Sequence, residues 1–216
     1  STATAAAAAP DPNEKYRQTA TAAMEDLVAI ATTDQEGWEA VGEQEGVNLF
    51  RKNTGGSSVC VRGEGVIPLP AETIFDLVTN TALKGKWDPM FKDGKVLQEI
   101  DSEFSITYNS FNAPFPVAPR DFCFASIKRK LDSGVMIACG RSVVHPACPE
   151  RKGHQRGEVV LGGYYMQPLG PAETRLIYVS QSDLKGSIPS SLKNKVALKQ
   201  PMQVAQIRDY LMSVKK

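Results

Sequence analysis

The sequence predicts an α+β fold in which one curved antiparallel sheet wraps around a long helix at the C-terminal end. Three observations carry that prediction. Alternating runs follow one another across short turns, which joins neighbouring strands antiparallel. One helical period opens the chain and a longer one closes it. The later strands are rich in small residues, Ala125, Ala138, Cys139, Gly140, Gly162 and Gly163. Such residues leave room between a sheet and a helix, and they suit bulges and tight packing equally well.

Residues 1–10, STATAAAAAP, are read as a flexible lead-in, and 11–216 as a single domain. Asp11 to Thr32 reads as a helix, with Asp11 as cap, Pro12 at the first helical position, and Tyr16, Ala20, Ala23, Leu27 and Ile30 at helical spacing. Three strands follow: GWEAVGEQE, VNLFRK after a turn at Gly46, and SSVCVRGEGVI. PAETIFDLVTN is a second helix, opened by Pro70 and Glu72. Beyond KGKWDPMFKDG lie the strands KVLQEI, EFSITYNSF, DFCFASIKRKL, GVMIACGRSVV and GEVVLGGYYMQP. A last strand, TRLIYVSQSDL, leads into the terminal helix from about Ile188.

Composition narrows the function. With 25 basic against 24 acidic residues, the chain has no charge excess to suit nucleic acid, and 42% hydrophobic content supplies a sizeable core. The four cysteines have no CxxC spacing, which suits buried thiols in a cytosolic protein. No apolar run is long enough to span a membrane. The opening makes a poor signal peptide, and a chain without an initiator methionine is read as processed or cut from something longer.

Catalysis finds little footing. The two histidines, His145 and His154, lack metal-ligand spacing, and no GxSxG, HExxH or P-loop pattern occurs. Cys148 near His145 suggests a nucleophile–base pair only until the intervening proline is counted, so no catalytic, metal or cofactor residue is expected. Arg120 and Asp121 read as a structural charge pair.

The stretch NAPFPVAPRDFCF, Asn112 to Phe124, is stiff because proline fixes its own φ, yet it carries apolar side chains. The terminal helix has an apolar stripe interrupted by Pro201, a natural hinge, and six basic residues against one acid. Basic residues beside an apolar stripe suit an anionic membrane surface.

WDPMFKDGKVLQEID, PRDFCFASIKRK, SVVHPACPERKGHQRGEVVLGGYYMQPL and SQSDLKGSIPSSL, in this order, resemble the START (StAR-related lipid-transfer) family across nearly the whole chain. The resemblance implies a helix-grip, START/Bet v 1-like fold with an internal lipid tunnel, and a non-enzymatic role. The family's two ligand-selecting positions fall here on Asn109 and Ser126, where relatives bear charges. Their loss together favours a neutral lipid, a sterol first, because an unpaired buried charge is costly. Phe111, Phe124, Tyr178, Ser180 and Val196 are expected to line the tunnel. Pro114, Phe115, Val117, Pro201, Lys195 and Lys199 are expected at the gate, touching membrane. The expected protein is monomeric, cytoplasmic and peripheral at membranes, with a lipid ligand and no nucleic-acid partner. A phospholipid or ceramide carrier, or a lipid-sensing module of a longer protein, is the alternative.

Overall fold

The first helix, α1 (Glu14–Thr32), starts three residues later than the pattern at Asp11 predicts. Asn13 occupies the cap position, and the Asp11 carboxylate accepts from the Asn13 amide at 2.9 Å and from Arg17 Nε at 3.2 Å. Asp11 therefore braces the turn before the helix and does not cap it. The computed structural model describes residues 11–33, 36–55, 58–113, 115, 117–186, 188 and 199–215.

Three strands follow α1: β1 (Trp38–Gln44), β2 (Val47–Asn53) and β3 (Val59–Ile67). Helix α2 (Ala71–Thr79) and the short α3 (Lys84–Trp87) precede β4 (Phe91–Glu99), β5 (Phe104–Phe111), β6 (Arg120–Lys130) and β7 (Met136–Ser142). A two-residue strand β8 (Gln155–Arg156), the long β9 (Glu158–Gly170) and β10 (Glu173–Asp183) complete the sheet. The order across it is β1-β2-β3-β10-β9-β7-β6-β5-β4, antiparallel throughout, with β8 off this path and parallel to β6.

Both faces of the sheet are covered. Helix α1 lies against β6, β7 and β9 on the outer face, where Leu27 packs with Ile106, Ile127, Ile137 and Ile177. Helix α2 and the last helix, α4 (Gln203–Val214), cover the inner face, where Ile74, Met166, Leu176 and Ile207 are fully buried. The expectation of a helix on one face is met by α4, and the sequence period alone did not reveal that α1 seals the other.

Helix α4 is firmly seated. Val204, Ala205, Ile207 and Leu211 are buried, each Val or Ile worth about 1.5–3 kcal/mol. Pro201 lies in a 3-10 turn, Gln200–Met202, from which α4 follows directly. The proline is buried, pressed on Gly63 of β3, where an added Cβ would lie 2.9 Å from Pro201 Cβ and collide with its carbonyl. This corrects the expectation of Pro201 as a membrane contact: the side chain is used to seat the helix. The predicted start of the helix, with Lys195 and Val196, lies outside the described residues.

A second correction concerns Arg120 and Asp121. Adjacent residues on a strand point to opposite faces, so they do not pair. Asp121 instead receives a two-pronged bond from Arg156, at 3.0 and 3.1 Å, which ties β8 to β6. All four cysteines are buried, and burial pushes the Cys139 thiol up to about 12.

Candidate functional site

Alternation along β5 and β6 decides which side chains face inward. Odd positions of β5 (Ser105, Thr107, Asn109, Phe111) and even positions of β6 (Phe122, Phe124, Ser126) line a cavity of about 690 Å³ between the sheet and α4. The even positions Ile106 and Tyr108 go to the outer core under α1. Further round the sheet, Tyr164 of β9 and Tyr178, Ser180 and Ser182 of β10 complete the wall. Gly162, also on β9, borders the cavity, and a Cβ there would meet only Val159 Cγ1, at 3.1 Å.

Two polar clusters stand in this wall. The first is a run of hydroxyls: Ser126 Oγ donates to Thr107 Oγ1 at 3.2 Å, and Ser105 Oγ lies 3.4 Å from the same atom. Asn109 shares their face, and its Oδ1 is buried with no hydrogen-bond partner among the described residues. Asn109 and Ser126 are not cross-strand partners, since Ser126 is opposite Ser105 and Asn109 opposite Phe122. They present separate polar atoms along one wall.

The second cluster is ionic and was missed by sequence reasoning. Lys84 Nζ sits 3.5 Å from Asp88 Oδ2, and both side chains are largely buried. Asp88 Oδ1 accepts from the Met90 amide at 3.0 Å, and Gln203 Nε2 donates to Oδ2 at 3.4 Å. Gln203 in turn accepts from the Tyr164 hydroxyl, so α3, α4 and β9 meet in one polar chain. Lys84 also lies over the Trp87 ring, 4.4 Å from its centre. Burial, opposed by Asp88, holds the Lys84 ammonium below its ordinary value. Burial pushes the Tyr164 and Tyr178 phenols up, and both stay protonated donors. The i,i+4 spacing of Lys84 and Asp88 was visible in the sequence, but it reads equally as a surface pair. Its burial depends on residues distant in the chain, Gln203 lying 115 positions beyond Asp88.

The cavity face of the structure thus brings together Asn109, Phe111, Phe124, Ser126, Tyr178 and Ser180. Among the gate positions, Val117 and Lys199 line the rim, and Phe115 is 98% exposed beside it. Pro114 lies outside the described residues. His145 has no bond to Cys148 sulfur: its Nδ1 accepts from the Ala147 amide at 3.2 Å and its Nε2 meets Gln98 Oε1 at 3.1 Å. That geometry leaves the ring no free nitrogen for a nucleophile. Among the described residues no helix is long and apolar enough to cross a membrane, and no cluster of His, Cys, Asp or Glu could hold a metal ion.

Comparison with known proteins places this architecture. The START domain model matches residues 18–212. The chain is 33% identical over 170 residues to the chicken (Gallus gallus) steroidogenic acute regulatory protein, mitochondrial, covering 76% of this chain and 60% of that one. It is 28% identical to the mouse (Mus musculus) StAR-related lipid transfer protein 5, covering 74% and 78%. The solved human StAR-related lipid transfer protein 5 superposes with a TM-score of 0.87 at 23% identity, over 94% of this chain and all of that one. The chain therefore spans less than two thirds of the chicken relative's length, and it belongs to the START domain family.

Proposed function

We propose that this chain holds one neutral lipid, a sterol first, in the cavity between sheet and α4 and carries it between membranes without catalysing any reaction. The observation that carries the reading is the composition of the wall: aromatic and small apolar side chains with hydroxyls at Thr107, Ser126 and Tyr178. A sterol exposes on the order of 500 Å² of apolar surface, and at about 25 cal/mol per Å² its hydration costs about 12 kcal/mol. A carrier must therefore enclose it. Hydroxyl and amide groups then answer a single lipid hydroxyl without stranding a charge. The family membership and the names of the relatives, which speak of lipid transfer and steroidogenesis, support the same reading. In this reading Phe115, exposed at the rim, and the cationic Lys199 meet the membrane surface, and the protein works as a cytoplasmic monomer.

Lys84 favours one second reading. The sequence offered no counter-charge for a phosphate at Asn109 and Ser126, but the buried ammonium of Lys84 in the cavity wall is such a charge. Asp88 neutralises it, which keeps the neutral lipid ahead. A phospholipid headgroup bound at Lys84 is the rival.

Native mass spectrometry of protein incubated with a membrane lipid extract separates the two. Recovery of sterol supports the first reading, and recovery of diacyl phospholipid alone replaces it with the second. Ser126→Leu tests the wall directly. It is expected to weaken sterol binding by up to about tenfold, one hydrogen bond's net worth, with the thermal midpoint unchanged. Unchanged affinity would remove Ser126 from the contact set.

A further inference from the structure

Four segments border the cavity here: Asn112, Ala113 and Val117 of the Pro-rich loop, then Leu184, Ile188 and Lys199. One side chain is bonded to Leu184 and to Ala118, the residue that follows Val117. Arg120, buried at the head of β6, donates Nη1 to the Ala118 carbonyl at 2.5 Å. It donates Nε to the Leu184 carbonyl at 3.1 Å and Nη2 to the Lys185 carbonyl at 3.0 Å. The acceptor side is shaped for this. Lys185 and Gly186 both adopt positive φ, 49° and 67°, and Lys185 is one of two non-glycine residues with positive φ among the described residues. That consecutive left-handed bend turns the Leu184 and Lys185 carbonyls onto the guanidinium, and the Asp183 carboxylate holds it by accepting from the Lys185 amide at 2.8 Å.

Among the described residues, the flank formed by α4 is held at several points. Helix α4 is held by Pro201 on Gly63, by Gln203 on Asp88 and Tyr164, and by Arg208 Nη1 on the Glu45 carbonyl at 2.6 Å. Opening there would break a packed core, whereas the Pro-rich loop is held by the Arg120 fork and by two backbone bonds at its ends, Asn112 N–H to the Met90 carbonyl at 2.8 Å and Gln155 N–H to the Pro119 carbonyl at 2.9 Å.

We propose that Arg120 is the latch of the cavity mouth, a positioning residue whose three hydrogen bonds hold the Pro-rich loop to the turn after β10 and thereby set how fast cargo enters and leaves. The statement about cargo rests on the lipid-carrier reading; the latch itself does not. The latch bonds form between protein groups whether the cavity is loaded or empty. Weakening them shifts the balance of closed and open forms equally in both states. Uptake and release then accelerate by the same factor, and the dissociation constant stays fixed, which a purely structural role would not produce.

The test compares the parent protein with Arg120→Gln, Arg120→Lys and Gly186→Ala. Arg120 itself borders the cavity, whereas Gly186 lies off its wall; a Cβ there would sit 3.4 Å from Gln155 Oε1 and 3.6 Å from Arg120 Nη2 on a backbone that disfavours it, so this variant disturbs the acceptor turn without altering the wall. Amide hydrogen exchange is measured on lipid-free protein. Transfer of the fluorescent sterol dehydroergosterol is followed between vesicles of phosphatidylcholine and phosphatidylserine. Arg120→Gln is expected to raise exchange in both 111–119 and 184–188, and to speed uptake and release alike by about tenfold. Arg120→Lys and Gly186→Ala should fall between it and the parent. Exchange that rises in only one segment or in neither, or a release rate that rises while uptake does not, overturns the latch. If Arg120→Gln does not fold, Gly186→Ala decides by the same readings. Failure of the parent protein to take up the sterol would sink the carrier reading, and the exchange data would still decide the latch.

Discussion

Asp88→Leu is expected to lower the unfolding free energy by about 3–5 kcal/mol, because it leaves the Lys84 ammonium buried without its partner. The loss is large against a total of about 5–15 kcal/mol for an ordinary domain. It includes the stranded Gln203 amide and the freed Met90 N–H, both bonded to Asp88 in the native fold. Urea denaturation measures it. The double variant Lys84→Met with Asp88→Leu should recover most of the deficit, since an apolar pair of similar volume removes the need for either charge. The pH dependence has a definite sign. Lys84 titrates below its ordinary value of 10.5 in the folded protein, so between the folded and unfolded values the unfolded chain binds more protons. Stability therefore rises with pH in that window. In Asp88→Leu the folded value falls further, and the deficit relative to the parent should shrink as pH climbs toward 10.5. A deficit that is the same at every pH, or below about 1 kcal/mol, would mean that water screens the pair.

Gly63→Ala is the second large effect. The residue's φ is ordinary, so the cost is steric: the new Cβ would meet the Pro201 carbonyl, Cβ at 2.9 Å and C at 3.0 Å. Backbone cannot swing aside as a flexible side chain does, so the 3-10 turn and the head of α4 must move. Overpacking of this kind costs about 1–3 kcal/mol. Hydrogen exchange across Gln203–Val214 should rise with the loss in urea midpoint, and bound sterol should leak faster. Full protection of α4 in this variant would show that the turn adapts and that its close seat is not required.

The sequence made the strands legible because burial on the sheet follows a period of two. The same period put Asn109, Phe111, Phe124, Ser126, Tyr178 and Ser180 on the cavity face. Applied one residue further, it would also have separated Arg120 from Asp121, which adjacency in the text made look like a pair. Helix α1 was legible as an amphipathic element through Tyr16, Ala20, Ala23 and Leu27. Its position on the outer face was not, since a helical stripe says that something is covered and not what. The Lys84, Asp88, Gln203 and Tyr164 cluster was hidden for a related reason. Each member is a common surface residue, and only the meeting of α3, α4 and β9 takes them out of water. The two-residue β8 has no pattern to read and exists through Arg156 and Asp121. The seat of Pro201 was not legible either, since the glycine that receives it lies on a strand far away in the chain.

Gly162 has a consequence for how such a container changes its contents. At Gly63, Gly140 and Gly163 a single methyl would strike backbone of the frame itself. At Gly162 it would meet one valine methyl group and otherwise border the cavity. The walls are rigid where they carry load and adjustable at one point where they do not. Stepwise enlargement of residue 162 would act like a movable stop in a mould, trimming the longest molecule accepted while the casing keeps its shape. Descendants of one such protein can therefore part ways in what they carry through a change at one codon, with no repair needed elsewhere.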